Sequence, residues 1–186
     1  MNEITIAEII PFSLIDYPEL ISAVFFTPFC NWRCGYCHNK ELWDYSGEGK
    51  NYKKFLYNKK GLIDAIVICG GEPTIHVWLP ELIEEIKSFG YKIKLDTNGT
   101  NPELLKNMSD KIDFVAMDVK TVKNKYSEVA EVDVNMKMIA ESISVIRQFY
   151  KGSHVFRHTD TGLSFNQLVE MQNFVGEPIL LQKKNL

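Results

Sequence analysis

Cys30, Cys34 and Cys37 stand in the run C-N-W-R-C-G-Y-C, a C-x3-C-x2-C spacing. Thiols packed this closely converge on one soft metal centre and leave a coordination position that no neighbouring protein group fills. A four-iron cluster held by three thiolates has one iron open to a small molecule, and chemistry begins at that open position. A zinc staple completed by Cys69 or His38 is the other reading. Zinc sites usually arrive as paired C-x2-C units or as a Cys2His2 set, and His38, adjacent to Cys37, is awkwardly placed for the same ion.

Further groups with chemical potential follow. Gly70-Gly71-Glu72-Pro73 reads by itself as a turn, since glycine permits a close backbone approach and proline stiffens the exit. Beside the cysteine triplet, a carboxylate in such a turn suits an ammonium group. Asp96 is either a ligand or the cap of a turn before Asn98-Gly99. Asp118 and Lys120, two apart on an extended segment, share a face. Arg157 is weak evidence alone, and His38, His76, His154 and His158 read as structural or surface residues. Cys69 reads as a small buried strand residue.

These residues need a frame. Apolar runs predict strands over 21–27, 64–69, 91–96, 114–118, 153–157 and 178–181, with a further N-terminal strand over 4–10. Leu79, Leu82, Ile83 and Ile86 recur at helical spacing before Gly90. A short helix begins near Pro102, a long stripe runs from Met136 to Tyr150 before Gly152, and a helix covers about 165–174. About six β–α repeats result, which call for an α/β architecture: a partial (β/α)6 barrel with a curved, mostly parallel sheet. The cysteine loop follows the first barrel strand, and the cysteines, Gly70-Gly71-Glu72-Pro73, Asp96-Thr97-Asn98, Asp118 with Lys120, and Arg157 all fall at C-terminal strand ends, the rim where such folds keep their sites.

The 186 residues are read as one domain, 1–186, with a core of ordinary size. A hydrophobic fraction of 45% and a net charge of −3 fit a globular protein and give no basic block for nucleic acid. No signal-peptide pattern and no membrane-length apolar run is found, so a cytoplasmic location is expected. Clustered cysteines argue for ligation in a reducing, oxygen-poor setting rather than for disulfides.

The cysteine motif, with Tyr36 before its last cysteine, and Gly70-Gly71-Glu72-Pro73 resemble the radical S-adenosylmethionine superfamily. Phe12-Ser-Leu-Ile-Asp-Tyr-Pro18, Cys34-Gly-Tyr-Cys-His-Asn39, Leu95-Asp-Thr-Asn-Gly99 and Val115-Ala-Met-Asp-Val-Lys120 are similar to glycyl-radical activases of the anaerobic ribonucleotide reductase group. The resemblance implies a [4Fe–4S] cluster on Cys30, Cys34 and Cys37 that binds S-adenosylmethionine and cleaves it reductively. The resulting 5′-deoxyadenosyl radical abstracts hydrogen from a glycine of a partner glycyl-radical enzyme, with flavodoxin or ferredoxin as electron donor.

It further implies that Glu72 and the Gly70-Gly71 backbone hold the cofactor's amino group, that Lys120 meets its carboxylate or ribose and that Asp118 serves the ribose. Arg157 reaches the cofactor and the Tyr36 backbone contacts adenine. Asp96, Thr97, Asp118 and the Ala116 carbonyl match the ligands of a monovalent cation. Cys69 stands where the group has serine, Asp16-Tyr-Pro18 lacks the N-terminal glycines, and His158-Thr-Asp-Thr-Gly162 is polar where the group is apolar. Those departures leave two rival readings: radical modification of a small molecule or peptide, and a non-enzymatic zinc or iron–sulfur protein.

Overall fold

The computed structural model describes residues 3–183. One seven-stranded sheet runs in the order of the chain. β1 (Glu8–Ser13) lies antiparallel to β2 (Ser22–Thr27). β3 (Ala65–Gly70), β4 (Lys92–Thr97), β5 (Phe114–Asp118), β6 (His154–Thr159) and β7 (Ile179–Gln182) follow, each parallel to the strand before it. Parallel neighbours need crossovers. Here they carry α1 (Tyr52–Lys59), α2 (Leu79–Ser88), α3 (Pro102–Asn107), α4 (Tyr126–Ala130) with α5 (Met136–Phe149), and α6 (Phe165–Val175). β1 and β7 remain the two edges of an open sheet, so the architecture is the expected partial barrel.

The central strands bury both faces, each in its own way. Ile66 and Ile68 of β3 join Ile93 and Leu95 of β4 in the large core beneath the helices. α2 meets that core because Leu79, Leu82, Ile83 and Ile86 fall on one side and are fully buried, each contributing roughly 1.5–3 kcal/mol. The alternate residues point into the barrel. Near the start of the strands they form a small second core of Val24, Ala65 and Val67, capped by Tyr17 and Leu20 from the β1–β2 connection and by Phe114. That plug closes the base. Above it the barrel interior is polar and open.

Two expectations shift. The N-terminal strand is Glu8–Ser13 rather than residues 4–10, because the earlier stretch is bonded elsewhere: the Ile6 carbonyl accepts from Lys50 N (2.7 Å) while the Ile6 side chain is fully buried. α1 was not anticipated. Its lysines mask a short stripe of Tyr52, Phe55 and Leu56, with Asn51 as N-cap accepting from Lys54 N. Gly90 and Gly152 follow α2 and α5 with positive φ, as the stop signals implied.

Candidate active site

β2 ends at Thr27, and the chain turns sharply into the cysteine loop. Phe29 takes φ 59°, an uncommon conformation for a side-chain-bearing residue, and is pinned there by its N–H on the Leu42 carbonyl (2.7 Å). Arg33 folds under the loop, donating from Nη1 to the carbonyls of Cys30 (2.6 Å) and Trp32 (3.0 Å). Trp32 is buried edge-on against Tyr126. Trp32 N approaches Cys30 Sγ and Asn39 N approaches Cys37 Sγ, both at 3.4 Å. N–H groups aimed at sulfur favour a ligating thiolate. All four cysteines are free thiols. Burial pushes the Cys30 thiol up to about 11 and raises Cys34 as well, so ligation must displace protons there.

Gly70 and Gly71 owe their identity to this loop. Gly70 has φ 114°, and a Cβ on it would meet the backbone of Thr27. A Cβ on Gly71 would overlap the Phe29 carbonyl and lie 3.2 Å from Cys30 N. The β3 turn therefore sits directly on the backbone that carries the first cysteine, joined by Gly71 N to Thr27 O (2.9 Å) and Glu72 N to Phe29 O (2.8 Å). Only residues without a Cβ allow that approach.

Glu72 lines the chamber, but its carboxylate is already bonded within the rim. Its Oε1 accepts from Thr74 N (3.1 Å), Thr74 Oγ1 (2.6 Å) and Thr97 Oγ1 (2.7 Å), and its Oε2 accepts from Asn98 N (2.6 Å). It is 1% exposed, and burial raises its pKa despite those bonds. Glu72 thus ties the β3 turn to the β4 turn. From there Asn98 Nδ2 donates to Asn31 Oδ1 (2.8 Å) and Asn31 Nδ2 to Thr100 Oγ1 (2.9 Å), which extends the tie to the cysteine loop. Asn31 carried no role in the sequence reading, and Asn98 entered only as a turn residue. Their signal lay in the T-N-G-T run facing C-N-W.

The opposite wall is a line of charges. Lys94 Nζ meets Asp96 Oδ1 (2.5 Å), Arg157 Nη1 meets Asp96 Oδ2 (2.8 Å), Arg157 Nε donates to Asp118 Oδ1, and Lys120 Nζ meets Asp118 Oδ2 (2.8 Å). Burial opposes the Asp118 charge, but Arg157 and Lys120 outweigh it and hold the carboxyl well below its usual range. Asp118 in turn pushes Lys120 up, and Asp118 with Asp96 pushes Arg157 up, each against its own burial. Lys94, overlooked in the sequence, is 5% exposed and lies in register between Val67 and Phe114.

Asp96, Asp118, Lys120 and Arg157 are therefore brought together. The groups matched to a monovalent cation lie on adjacent strands, with Asp96 in register with Ala116 and Thr97 with Met117, and several of them are already engaged. Thr97 Oγ1 is engaged by Glu72 and by Gly99 N (3.1 Å), Ala116 is fully buried in mid-sheet, and Arg157 lies between the two carboxylates. Tyr36 lines the chamber with its ring 5.9 Å from Lys120 Nζ, and its hydroxyl is buried with no partner. His76 and His158 are structural, bonded to the carbonyls of Pro28 (2.7 Å) and Val119 (2.9 Å).

These walls enclose about 390 Å³, with Cys30, Cys34 and Cys37 on one side and Asp118, Lys120 and Arg157 on the other. That volume suits a small-molecule site, for which ~300–1,000 Å³ is usual. Ile10 of β1 and Gln182 of β7 also reach it, so the chamber opens between the sheet edges. Cys69 sits on its wall, where burial holds the thiol well above its ordinary value. No helix among the described residues is long and apolar enough to cross a membrane.

A barrel of this kind, with three free thiols facing a charged rim across a ligand-sized chamber, defines a cofactor-dependent enzyme class. Residues 24–175 match the sequence model of the Radical SAM superfamily, and the chain belongs to that superfamily. Membership implies an iron–sulfur cluster and S-adenosylmethionine, and the thiol loop with its glycine cradle fits them. A Methanocaldococcus jannaschii protein named "Putative glycyl-radical enzyme activating enzyme" is 36% identical over 155 residues, 81% of this chain and 65% of that protein. The 7-carboxy-7-deazaguanine synthase of Aquifex aeolicus is 39% identical over 72 residues, 38% of this chain and 33% of the synthase. The chain thus spans from a third to just under two thirds of these relatives. Streptococcus suis SuiB, solved with its precursor peptide SuiA, shares the fold at TM-score 0.67 and 17% identity, over 87% of this chain and 38% of SuiB.

Proposed function

We propose that this chain, acting as one domain, is a radical S-adenosylmethionine enzyme that activates a glycyl-radical enzyme. The observation that carries this reading is the chamber itself, three thiols on one wall and the Asp118–Lys120–Arg157 array on the other. Cys30, Cys34 and Cys37 would hold a [4Fe–4S] cluster, which together with S-adenosylmethionine would supply a one-electron reductive cleavage to start radical chemistry.

The chain's own residues bind and orient. The Gly70-Gly71 backbone would hold the cofactor's amino group, with Glu72 fixing that turn through Thr74, Thr97 and Asn98. Lys120, steadied by Asp118, presents its ammonium to a carboxylate or ribose. Arg157 fixes Asp118 from the other side, and the Tyr36 backbone borders the adenine. The half-buried glycine turn and the buried Trp32 back the thiol loop.

A polypeptide substrate is supported by the M. jannaschii relative's name and by the edge of the sheet. Ile10 and Asp16 line the chamber, and between them Phe12, Leu14 and Ile15 are exposed, apolar ground for a partner chain. The deazaguanine synthase match favours a second reading, action on a small molecule. Electrons come from flavodoxin or ferredoxin.

Anaerobic reconstitution tests the proposal. A brown protein with a [4Fe–4S] signal should form 5′-deoxyadenosine under dithionite and raise a glycyl doublet, by electron paramagnetic resonance, in a co-purified glycyl-radical enzyme. Cleavage without any doublet moves the assignment to the small-molecule reading. A colourless protein holding one zinc after strictly anaerobic handling would sink the enzymatic reading.

A further inference from the structure

The two aspartates on the chamber wall need positive charge, and the chain already supplies it. We propose that Arg157 is a built-in cation for the Asp96–Asp118 pair, and that the chamber binds its cofactor without a monovalent metal ion. Every carboxylate oxygen of the pair has a cationic donor. Asp96 Oδ1 faces Lys94 and Oδ2 faces Arg157, while Asp118 Oδ1 faces Arg157 and Oδ2 faces Lys120. The guanidinium bridges the carboxylates from Nε and Nη1, a geometry its planar fork supports and an ammonium does not.

Charge and burial both oppose a metal ion here. Three cations, Lys94, Lys120 and Arg157, face two anions, which leaves a surplus of one positive charge. That surplus suits a ligand carboxylate, whereas an added ion would be a fourth positive charge among buried groups. Lys94 sharpens the point. Its side chain is 6% exposed and Asp96 is its ion-pair partner among the described residues, so diverting Asp96 to a metal would strand a buried ammonium. Further oxygen ligands are also committed, since the Thr97 hydroxyl donates to Glu72.

Two measurements decide this. The first needs no cofactor and no catalysis, so its failure is separate from failure of the proposed function. In 23Na nuclear magnetic resonance, the wild-type protein should give no saturable line broadening. Saturable broadening displaced by K+ would overturn the proposal. Arg157→Gln, checked for folding by circular dichroism, should gain such broadening, and a folded variant without it would overturn the assignment of the guanidinium to the cation's place. Should the variant not fold, the wild-type result decides alone.

The second measurement rests on the proposed cofactor site. S-adenosylmethionine binding to oxidised, cluster-loaded protein is followed by equilibrium dialysis in KCl and in tetramethylammonium chloride at equal ionic strength. The dissociation constant should change by less than about twofold, and a weakening of about tenfold or more without K+ would refute the proposal.

Discussion

Gly71→Ala is the sharpest test of how the thiol loop is held. The added methyl would overlap the Phe29 carbonyl, which is backbone and already accepts from Glu72 N at 2.8 Å. Relief requires the loop to move. Forcing an extra methyl into packed structure costs about 1–3 kcal/mol. Swinging the Phe29 carbonyl away leaves the buried Glu72 N–H unpaired, for roughly 1–3 kcal/mol more. The expected loss is therefore about 2–6 kcal/mol, a fall of roughly 4 °C or more in Tm for a chain of this length. Urea unfolding of the cluster-free protein measures it, and iron-dependent absorbance after reconstitution shows whether the thiols still converge. Gly152→Ala is the control. Its φ of 80° also penalises alanine, by about 1–2 kcal/mol, but nothing lies near the new Cβ and the site is at the far end of β6 from Arg157. Gly152→Ala should keep full cluster content while Gly71→Ala loses most of it. A Gly71→Ala protein within about 0.5 kcal/mol of wild type and fully loaded would refute the close-approach argument.

Cys34→Ala should abolish both cluster absorbance and cofactor cleavage, whereas Cys69→Ser, altering a wall residue outside the loop, should leave both nearly intact; equal losses would mean the ligand set is wrong. Glu72→Ala strands the donors of Thr74, Thr97 and Asn98 and should cost about 2–4 kcal/mol in urea unfolding, with Glu72→Gln recovering part of it; a loss under about 1 kcal/mol would contradict the buried tie. Burial, only partly opposed by bonds to backbone carbonyls, holds the imidazoles of His76 and His158 below 6.5. The unfolded chain then binds more protons than the folded one below that value. Stability should be full above pH 6.5 and fall on acidification towards the folded pKa values, by up to ~1.4 kcal/mol per pH unit per histidine. A protein more stable at pH 5.5 than at pH 7.5 would reverse that assignment.

What the sequence revealed tracks the physical origin of each signal. The parallel strands were legible because strands buried on both faces read as apolar runs, as in Ala65-Ile-Val-Ile-Cys69. The rim was legible too, since strand ends place Cys30, Glu72, Asp96, Asp118 and Arg157 on one side of the sheet. Lys94 was not. In the alternation of Lys92-Ile-Lys94, both lysines look solvent-facing, yet one is exposed and the other is buried inside the barrel. A period of two reports which residues share a face but not whether that face meets water. Glu72 was found, but its bonds to Thr74, Thr97 and Asn98 were not. Thr74 and the Thr97-Asn98 turn compete for its carboxylate, and only the fold brings β4 close enough for them to win. α1 was hidden by its lysines, although Asn51 and the Tyr52, Phe55 and Leu56 stripe marked it.

The apolar plug of Tyr17, Leu20, Val67 and Phe114 has a consequence for the order of events. It makes the chamber a cul-de-sac. A ligand seated at the cysteine end must pass the same mouth by which its successor arrives, and that successor then stands in the doorway. On the proposed function, binding would be sequential, small molecule before macromolecule, with release in reverse. A partner docked across the edges of β1 and β7 would act as the stopper that keeps a reactive species from escaping before it has met its target.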